Sequence, residues 1–284
     1  MRPDDDKRSR DAASPVSKED YMHDYDGALT KQIVAGRTAE THGAFILPHL
    51  RAGMTLLDCG CGPGTITAGL ARKTAPGHVT GVDREDSQLE LARAHAAELG
   101  LANVSFENTD AYDLPYEDSR FDAVFSHAML EHMTDPLAIL KEMRRVLKPG
   151  GLVGIRCVDL AATLITPEEP ALAKAHDIWC KHRIRCGGDP YLGRRLRALL
   201  REAGFARTIG SASSETWATP ELTRSMMSVL KAEFTGPKIS GTAIEMGWAD
   251  QAQMDETTRA LEEWGSHPDA FMAIVWCEGT GWKE

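Results

Sequence analysis

The run Leu56-Leu57-Asp58-Cys59-Gly60-Cys61-Gly62-Pro63-Gly64-Thr65 holds the residues with the clearest chemical purpose in this 284-residue chain. A short apolar stretch ends in a turn with glycines at 60, 62 and 64, and a helix-like stretch follows. Glycine lets the backbone approach a ligand closely and adopt positive φ. A turn between a strand and a helix is where nucleotides bind. A dinucleotide fingerprint would need a small third residue at 65, but Thr65 stands there, so the spacing is G-x-G-x-G. Asp58 closes the apolar run beside the turn. A carboxylate there repels a pyrophosphate, which favours a helix N-terminus with positive surroundings. It attracts an ammonium or sulfonium. The turn therefore suits a nucleoside with a cationic tail.

Two more acids recur at equivalent places. Asp83 follows Gly60 by 23 residues, at the end of the next apolar run, where an acid accepts ribose hydroxyls. Asp110-Ala111 follow a third run, where a carboxylate can accept from an exocyclic adenine amine. Each alone is more often a surface acid or a helix cap. Their conjunction at successive strand ends is what carries the reading.

These side chains need a scaffold of alternating elements. Strands are expected at 54–58, 78–83, 104–108, 121–126 and 152–158, and helices at 65–73, 87–99 and 136–147. Strands of this length alternating with helices make βαβ units and a parallel sheet with helices on both faces. The ligand then belongs at the carboxyl ends of the strands, where strand order reverses. Beyond residue 160 the rhythm loosens. Helices are expected at 169–181, 191–203, 219–233 and 250–264, a sixth strand at 205–211 and a last strand at 270–277 (AFMAIVWC). Residues 20–50 read as two broken amphipathic stretches, and 1–18 as a disordered tail.

Composition limits the partners. There are 32 basic and 42 acidic residues, a net charge of −10, which argues against a phosphate-backbone binder. No apolar run approaches the roughly 18 residues that span a bilayer, and the first 20 residues lack the apolar core of a secretory signal. The six cysteines at 59, 61, 157, 180, 186 and 277 form no C-x-x-C pair, so reduced thiols in a cytoplasmic protein are expected, with no metal site.

With these stretches in hand, the chain resembles the class I S-adenosylmethionine-dependent methyltransferases, and within them the ubiquinone/menaquinone-biosynthesis-type (type 11) group. The likeness rests on LLDCGCGPGTIT at 56–67, GVDRED at 81–86, NTDAYDLPYEDSRFDAVFSHAMLEH at 108–132 and EMRRVLKPGG at 142–151. It covers about residues 35–160, and PYLGRRLRALLREAGF at 190–205 extends it more weakly. The resemblance implies a doubly wound, seven-stranded, mostly parallel α/β sheet of Rossmann-like type whose last strand runs antiparallel. It also implies S-adenosylmethionine as cofactor.

Carried over residue by residue, Asp58, Gly60, Gly62 and Gly64 would line the methionine and ribose portion, with Cys61 as a small side chain that fits the turn. Asp83 would hold the ribose. Asp110, Ala111 and Gln88 would face adenine, Arg84 would cover the nucleoside edge, and Ser126 would offer backbone contacts to the methionine part. Tyr21, Tyr25 and Arg37 are candidates for closing over the cofactor, Arg37 by pairing with its carboxylate. Each of these three reads equally as a packed or solvated side chain.

Methyl transfer from a sulfonium needs alignment and dryness more than acid–base chemistry. His127, after Ser126 at the end of the fourth strand, is the first candidate base, and His132 the second; both are weighed against structural roles. The expected organisation is one domain over 19–284. It comprises N-terminal helices to 53, a cofactor-binding core over 54–160, and acceptor-side lid segments at 161–190 and 215–266. Trp179, His182, Arg183, Met226, Met227, Trp248 and Met254 could line the acceptor side or simply pack there. A thiol-held metalloid acceptor is disfavoured because FSHAMLEH carries no cysteine. The expected enzyme is a small-molecule methyltransferase without nucleic-acid or membrane partners, monomeric or homodimeric. The alternatives are a nicotinamide-dependent oxidoreductase on the same sheet and a non-catalytic S-adenosylmethionine-binding partner.

Overall fold

The computed structural model describes residues 34–284. Tyr21, Tyr25, the tail over 1–18 and the first N-terminal stretch lie outside them. Seven strands form one sheet in the order β3-β2-β1-β4-β5-β7-β6. They are β1 (Leu56–Cys59), β2 (Val79–Asp83), β3 (Val104–Asn108), β4 (Phe121–His127), β5 (Leu147–Thr166), β6 (Arg207–Trp217) and β7 (Phe271–Trp282). The first five are parallel, and β7 runs antiparallel between β5 and β6. Strand order reverses between β1 and β4, which makes that junction the place for a ligand.

Helices cover both faces. On one side Leu57, Val124, Val153 and Ile155 pack against α4 (Pro136–Val146) and α6 (Leu196–Glu202). On the other, Leu56, Val79, Ala123 and Phe125 pack against Ile46 and α2 (Thr65–Thr74). The helix α3 (Asp86–Glu98) leans on β3 through Leu89, Ala92 and Phe106. A fourth cluster joins Val158, Leu160, Trp217, Met226, Trp264 and Trp276 beneath α5 (Pro170–Arg185), α7 (Pro220–Thr235) and α9 (Gln251–Ser266). Between α7 and α9 lies the short α8 (Thr242–Glu245). No helix among the described residues is long and apolar enough to cross a membrane.

A polar knot pins the starts of β1 and β4 together. Thr55 donates its N–H and hydroxyl to Asp122 at 2.8 and 2.7 Å, and Lys148 pairs with the same carboxylate at 2.9 Å. This fixes the register that brings the other ends of those strands to the cleft.

Several boundaries differ from the sequence reading for identifiable reasons. The second N-terminal stretch is broken into one helical turn, α1 (Ala39–His42), and a 3₁₀ turn at Leu47–His49, because Gly43 ends the first and Pro48 sits in the second. The expected fifth strand at 152–158 is only the buried centre of β5, whose ends extend along the antiparallel β7 and carry it past the core boundary placed at 160. The strand expected at 205–211 runs from Arg207 to Trp217. As an edge strand with a largely exposed course it has no apolar alternation to reveal its length. The helix expected at 191–203 begins as a 3₁₀ turn at Leu192–Arg195.

Phe125 is fully buried at the centre of β4. Phe125→Ala is expected to lower unfolding stability by about 3–5 kcal/mol in denaturant titration. A loss below about 1 kcal/mol would contradict this packing.

Candidate active site

A cleft of about 730 Å³ opens at the carboxyl ends of the parallel strands. That is in the upper part of the roughly 300–1,000 Å³ range of small-molecule sites. It is lined at one end by Gly60, Gly62, Asp83, Gln88, Asp110 and Ala111, and at the other by Arg183, Glu215, Trp217 and Trp276. His127 and Met129 line it as well.

The glycine turn is built for close approach. Gly62 has φ +51°, and a Cβ there would meet nothing within 4 Å, so the missing side chain leaves open cleft. Gly60 has φ +78°, and a Cβ there would come within 2.7 Å of Met129 Sδ. Asp83 holds the turn open. Its Oδ2 accepts from Gly62 N–H at 2.9 Å and its Oδ1 from Glu85 N–H at 3.1 Å. Burial raises the Asp83 pKa, and these backbone donors oppose the rise. Each carboxylate oxygen keeps room for a further donor. Gln88 Oε1 is buried without a partner, and Asp110 Oδ1 accepts from Tyr112 N–H at 3.0 Å. This donor-hungry set fits ribose hydroxyls and an adenine amine.

Four expected residues lie behind the wall and not on it. Asp58 is 2% exposed, and its Oδ2 accepts from Thr67 Oγ1 at 2.6 Å. Burial pushes its pKa up to about 7 despite that hydrogen bond, and the Asp83 charge adds to the rise. Cys61 is buried among Leu89, Ala92 and Phe106. Gly64 caps α2 in a left-handed conformation. The Ser126 hydroxyl is buried without a partner. Arg37, Gly60, Gly62, Asp83, Arg84, Gln88, Asp110, Ala111, His127 and His132 all line the cleft.

The far end holds a charged cluster that the sequence reading missed. His127 is 7% exposed, its ring 4.8 Å from the Trp276 ring and 5.2 Å from that of His42, and neither ring nitrogen has a partner. Burial holds its pKa well below the ordinary value, and Arg37 and Arg156 add to this, so it is neutral at pH 7. The guanidinium carbons of Arg37 and Arg156 lie 5.3 and 4.7 Å from the centre of the Trp276 ring. Glu215, on β6, accepts from Trp276 Nε1 at 3.1 Å and lies 3.7 Å from His42 Nε2. Glu131 is 1% exposed with Oε2 unpartnered. Ala128, between His127 and Met129, has φ +55°, an uncommon conformation for alanine that turns the chain sharply at the cleft.

Trp179, Arg183 and Met226 also reach the cleft, whereas His182, Met227, Trp248 and Met254 are not among its lining residues. Glu215, Trp217 and Trp276 were hard to find because β6 and β7 pair across a long sequence gap. Only the AFMAIVWC run gave a signal, and that for a strand.

Comparison with known proteins agrees with this geometry. The sequence profile of the family described as methyltransferase domain matches residues 50–204. A protein named probable methyltransferase ltbC, from Aspergillus luteorubrus, is 30% identical over 293 residues, covering 95% of this chain and all of that protein. An uncharacterized methyltransferase of Schizosaccharomyces pombe is 36% identical over 194 residues, 64% of this chain and 68% of that one. The fold matches phosphoethanolamine N-methyltransferase 2 of Haemonchus contortus, solved with phosphomonomethylethanolamine and S-adenosylhomocysteine, at a TM-score of 0.54 and 20% identity. That match covers 84% of this chain and 52% of the nematode enzyme. A profile match over more than half of the chain, on a sheet with its cleft at the β1/β4 switch point, establishes that the protein belongs to the methyltransferase-domain family.

Proposed function

We propose that the protein transfers a methyl group from S-adenosylmethionine to the oxygen, nitrogen or carbon of a small-molecule acceptor. The observation that carries this is the charge of the cleft. Five carboxylates, from Asp83, Glu85, Asp110, Glu131 and Glu215, face three guanidiniums, from Arg37, Arg84 and Arg183, and no lysine lines the cleft among the described residues. Asp58 adds a carboxyl beneath the glycine turn. A diphosphate finds little support there, which disfavours a nicotinamide dinucleotide. A nucleoside with a cationic tail is matched.

When bound, S-adenosylmethionine supplies a methyl group already activated by its positive sulfur. Asp83 takes the ribose hydroxyls while it holds Gly62. Gln88, Asp110 and Ala111 face adenine, with Arg84 at the nucleoside edge. Gly60 and Gly62 let the backbone approach the amino-acid tail; Gly64 lets α2 start close against Ala92, Cys61 keeps the turn compact, and Asp58 and Ser126 act from beneath. His127 hydrogen-bonds the acceptor through a ring nitrogen that has no protein partner. His132 shapes the same wall. Residues 161–190 and 215–266 act as the acceptor-side lid, a role supported by Trp179, Arg183, Trp217 and Met226 reaching the cleft. Alignment in a dry site can supply roughly 7–11 kcal/mol of the barrier. The acidic balance and six free thiols support a cytoplasmic enzyme without a nucleic-acid partner.

Calorimetry with S-adenosylhomocysteine tests the reading. The wild type is expected to bind it, and Gly62→Arg, which fills the open cleft, to weaken binding at least about 100-fold while the fold is retained. Equal affinity in the variant, or binding of NADH in its place, would overturn the assignment. His127→Ala is expected to lower turnover about 10²-fold with donor affinity unchanged; undiminished turnover would remove His127 from the site.

Asp58 has a pH signature of its own. Its folded pKa of about 7 lies above the ordinary carboxylate value, so the stability it contributes is full below about pH 4 and is lost as pH rises to about 7. Asp58→Asn removes that loss. In denaturant titrations its stability relative to wild type should climb between about pH 4 and pH 7, by at most about 4 kcal/mol, and stay level above. A difference independent of pH would show that burial leaves the Asp58 pKa at its unfolded value.

A further inference from the structure

Arg37 lines the cleft with an unsatisfied donor. Its Nε is enclosed without a hydrogen-bond partner. What holds it is the face of Trp276 and the charges of Glu215 and Glu131. A guanidinium keeps its charge even when buried and carries five donors in a planar fork. Leaving the enclosed Nε–H unused is costly, and an anion is a ligand that relieves the cost. The sequence suggested that Arg37 closes over the donor's carboxylate, but its observed neighbours belong to β6, β7 and the turn after β4, the side of the sheet away from Asp83 and Asp110.

His127 tells the same story. Both of its ring nitrogens lack partners, and it lines the same end of the cleft. Burial, and then the charges of Arg37, Arg156 and His42, disfavour its protonation, so it stays neutral with one N–H to donate. Arg156 spends Nη2 on Ser213 at 3.2 Å and has Nε 3.6 Å from Glu278, but its Nη1 is unpartnered. The other titratable groups packed around this end are His42 and Glu215, paired at 3.7 Å, together with Glu131, His132 and Arg183.

Building on the methyl-donor reading above, we infer that Arg37 is a catalytic residue that holds the acceptor's reacting oxygen as an oxyanion, with the neutral His127 N–H as second donor. The acceptor class is therefore an acidic oxygen compound, whether a phenol, an enol or a carboxylic acid, and not an amine. The acceptor gives its acidic proton to bulk water as it enters beside the guanidinium. Its oxygen then contributes an electron pair to the methyl carbon as the carbon–sulfur bond breaks, and that bond's pair stays on sulfur and cancels the sulfonium charge. No base is required in the transfer itself, in keeping with an imidazole that resists protonation.

A nitrophenol tests this without turnover, because its coloured phenolate reports its own ionisation. With saturating S-adenosylhomocysteine, the bound probe should ionise at least about one pH unit below the free probe, the size expected for an opposite charge within a few ångströms. Arg37→Gln should abolish the shift and Arg37→Lys keep part of it, both with unchanged S-adenosylhomocysteine affinity. A phenylacetate should displace the probe, and a phenylethylammonium should not. The inference is overturned if the wild type shows no shift, if the ammonium competes as well as the carboxylate, or if Arg37→Gln weakens S-adenosylhomocysteine instead, which would return Arg37 to the donor. Failure of S-adenosylhomocysteine to bind the wild type at all would overturn the methyl-donor reading first, and this inference with it.

Discussion

The site depends on one carboxylate placed between two strand ends. Asp83 closes β2 and takes the Gly62 N–H at 2.9 Å, so the turn after β1 is held away from the cleft by its neighbour strand. A bulkier residue at Gly62 would fill the space that this bond keeps clear. The parallel register of β1 on β2, with Cys59 opposite Val82, puts the acid and the turn within reach of each other. The same register on β4, continued through Lys148, Asp122 and Thr55, brings His127 to the cleft. Packing thus sets the geometry, and one charge-assisted hydrogen bond sets the shape of the mouth.

Burial then divides the charges into two kinds. Asp58 lies beneath the turn with a carboxyl near neutrality in pKa, a latent negative charge that a cationic ligand would call out. At the other end Arg37 and Arg156 flank Trp276, and Glu215 and Glu278 balance them. Burial lowers the Arg156 pKa to about 10, so it stays charged at neutral pH. In the proposed account, one cleft offers carboxylates to a sulfonium nucleoside and the Arg37 guanidinium to an oxygen nucleophile. That arrangement would draw a negative acceptor toward a positive donor, whose charges cancel once the methyl group has moved.

Local features were legible in the chain, and distant ones were not. The turn from Asp58 to Thr65 could be read because strand, glycines and helix are contiguous, and the placements of Asp83 and Asp110 followed from the spacing of βα units. Gly60, Gly62, Asp83 and Asp110 do meet at one cleft. Asp58 looked like a lining group because sequence places it beside the turn, but strand alternation points it under α2 toward Thr67. Glu215 and Trp276 were not legible, since an exposed edge strand such as β6 has no apolar period and its pairing with β7 joins residues about sixty positions apart. The left-handed Ala128 had no signal either, as nothing in an Ala-Met pair demands positive φ.

The central claim is that the mouth shaped by Asp83 and Gly62 receives a sulfur nucleoside whose tail lies toward His127. A crystal structure with S-adenosylhomocysteine tests it most directly. The account predicts ribose hydroxyls on the Asp83 carboxylate, the homocysteine tail over Gly60 and Gly62, and the sulfur facing the space between His127 and Arg37. A nucleoside bound elsewhere, or a sulfur turned away from that space, would contradict it.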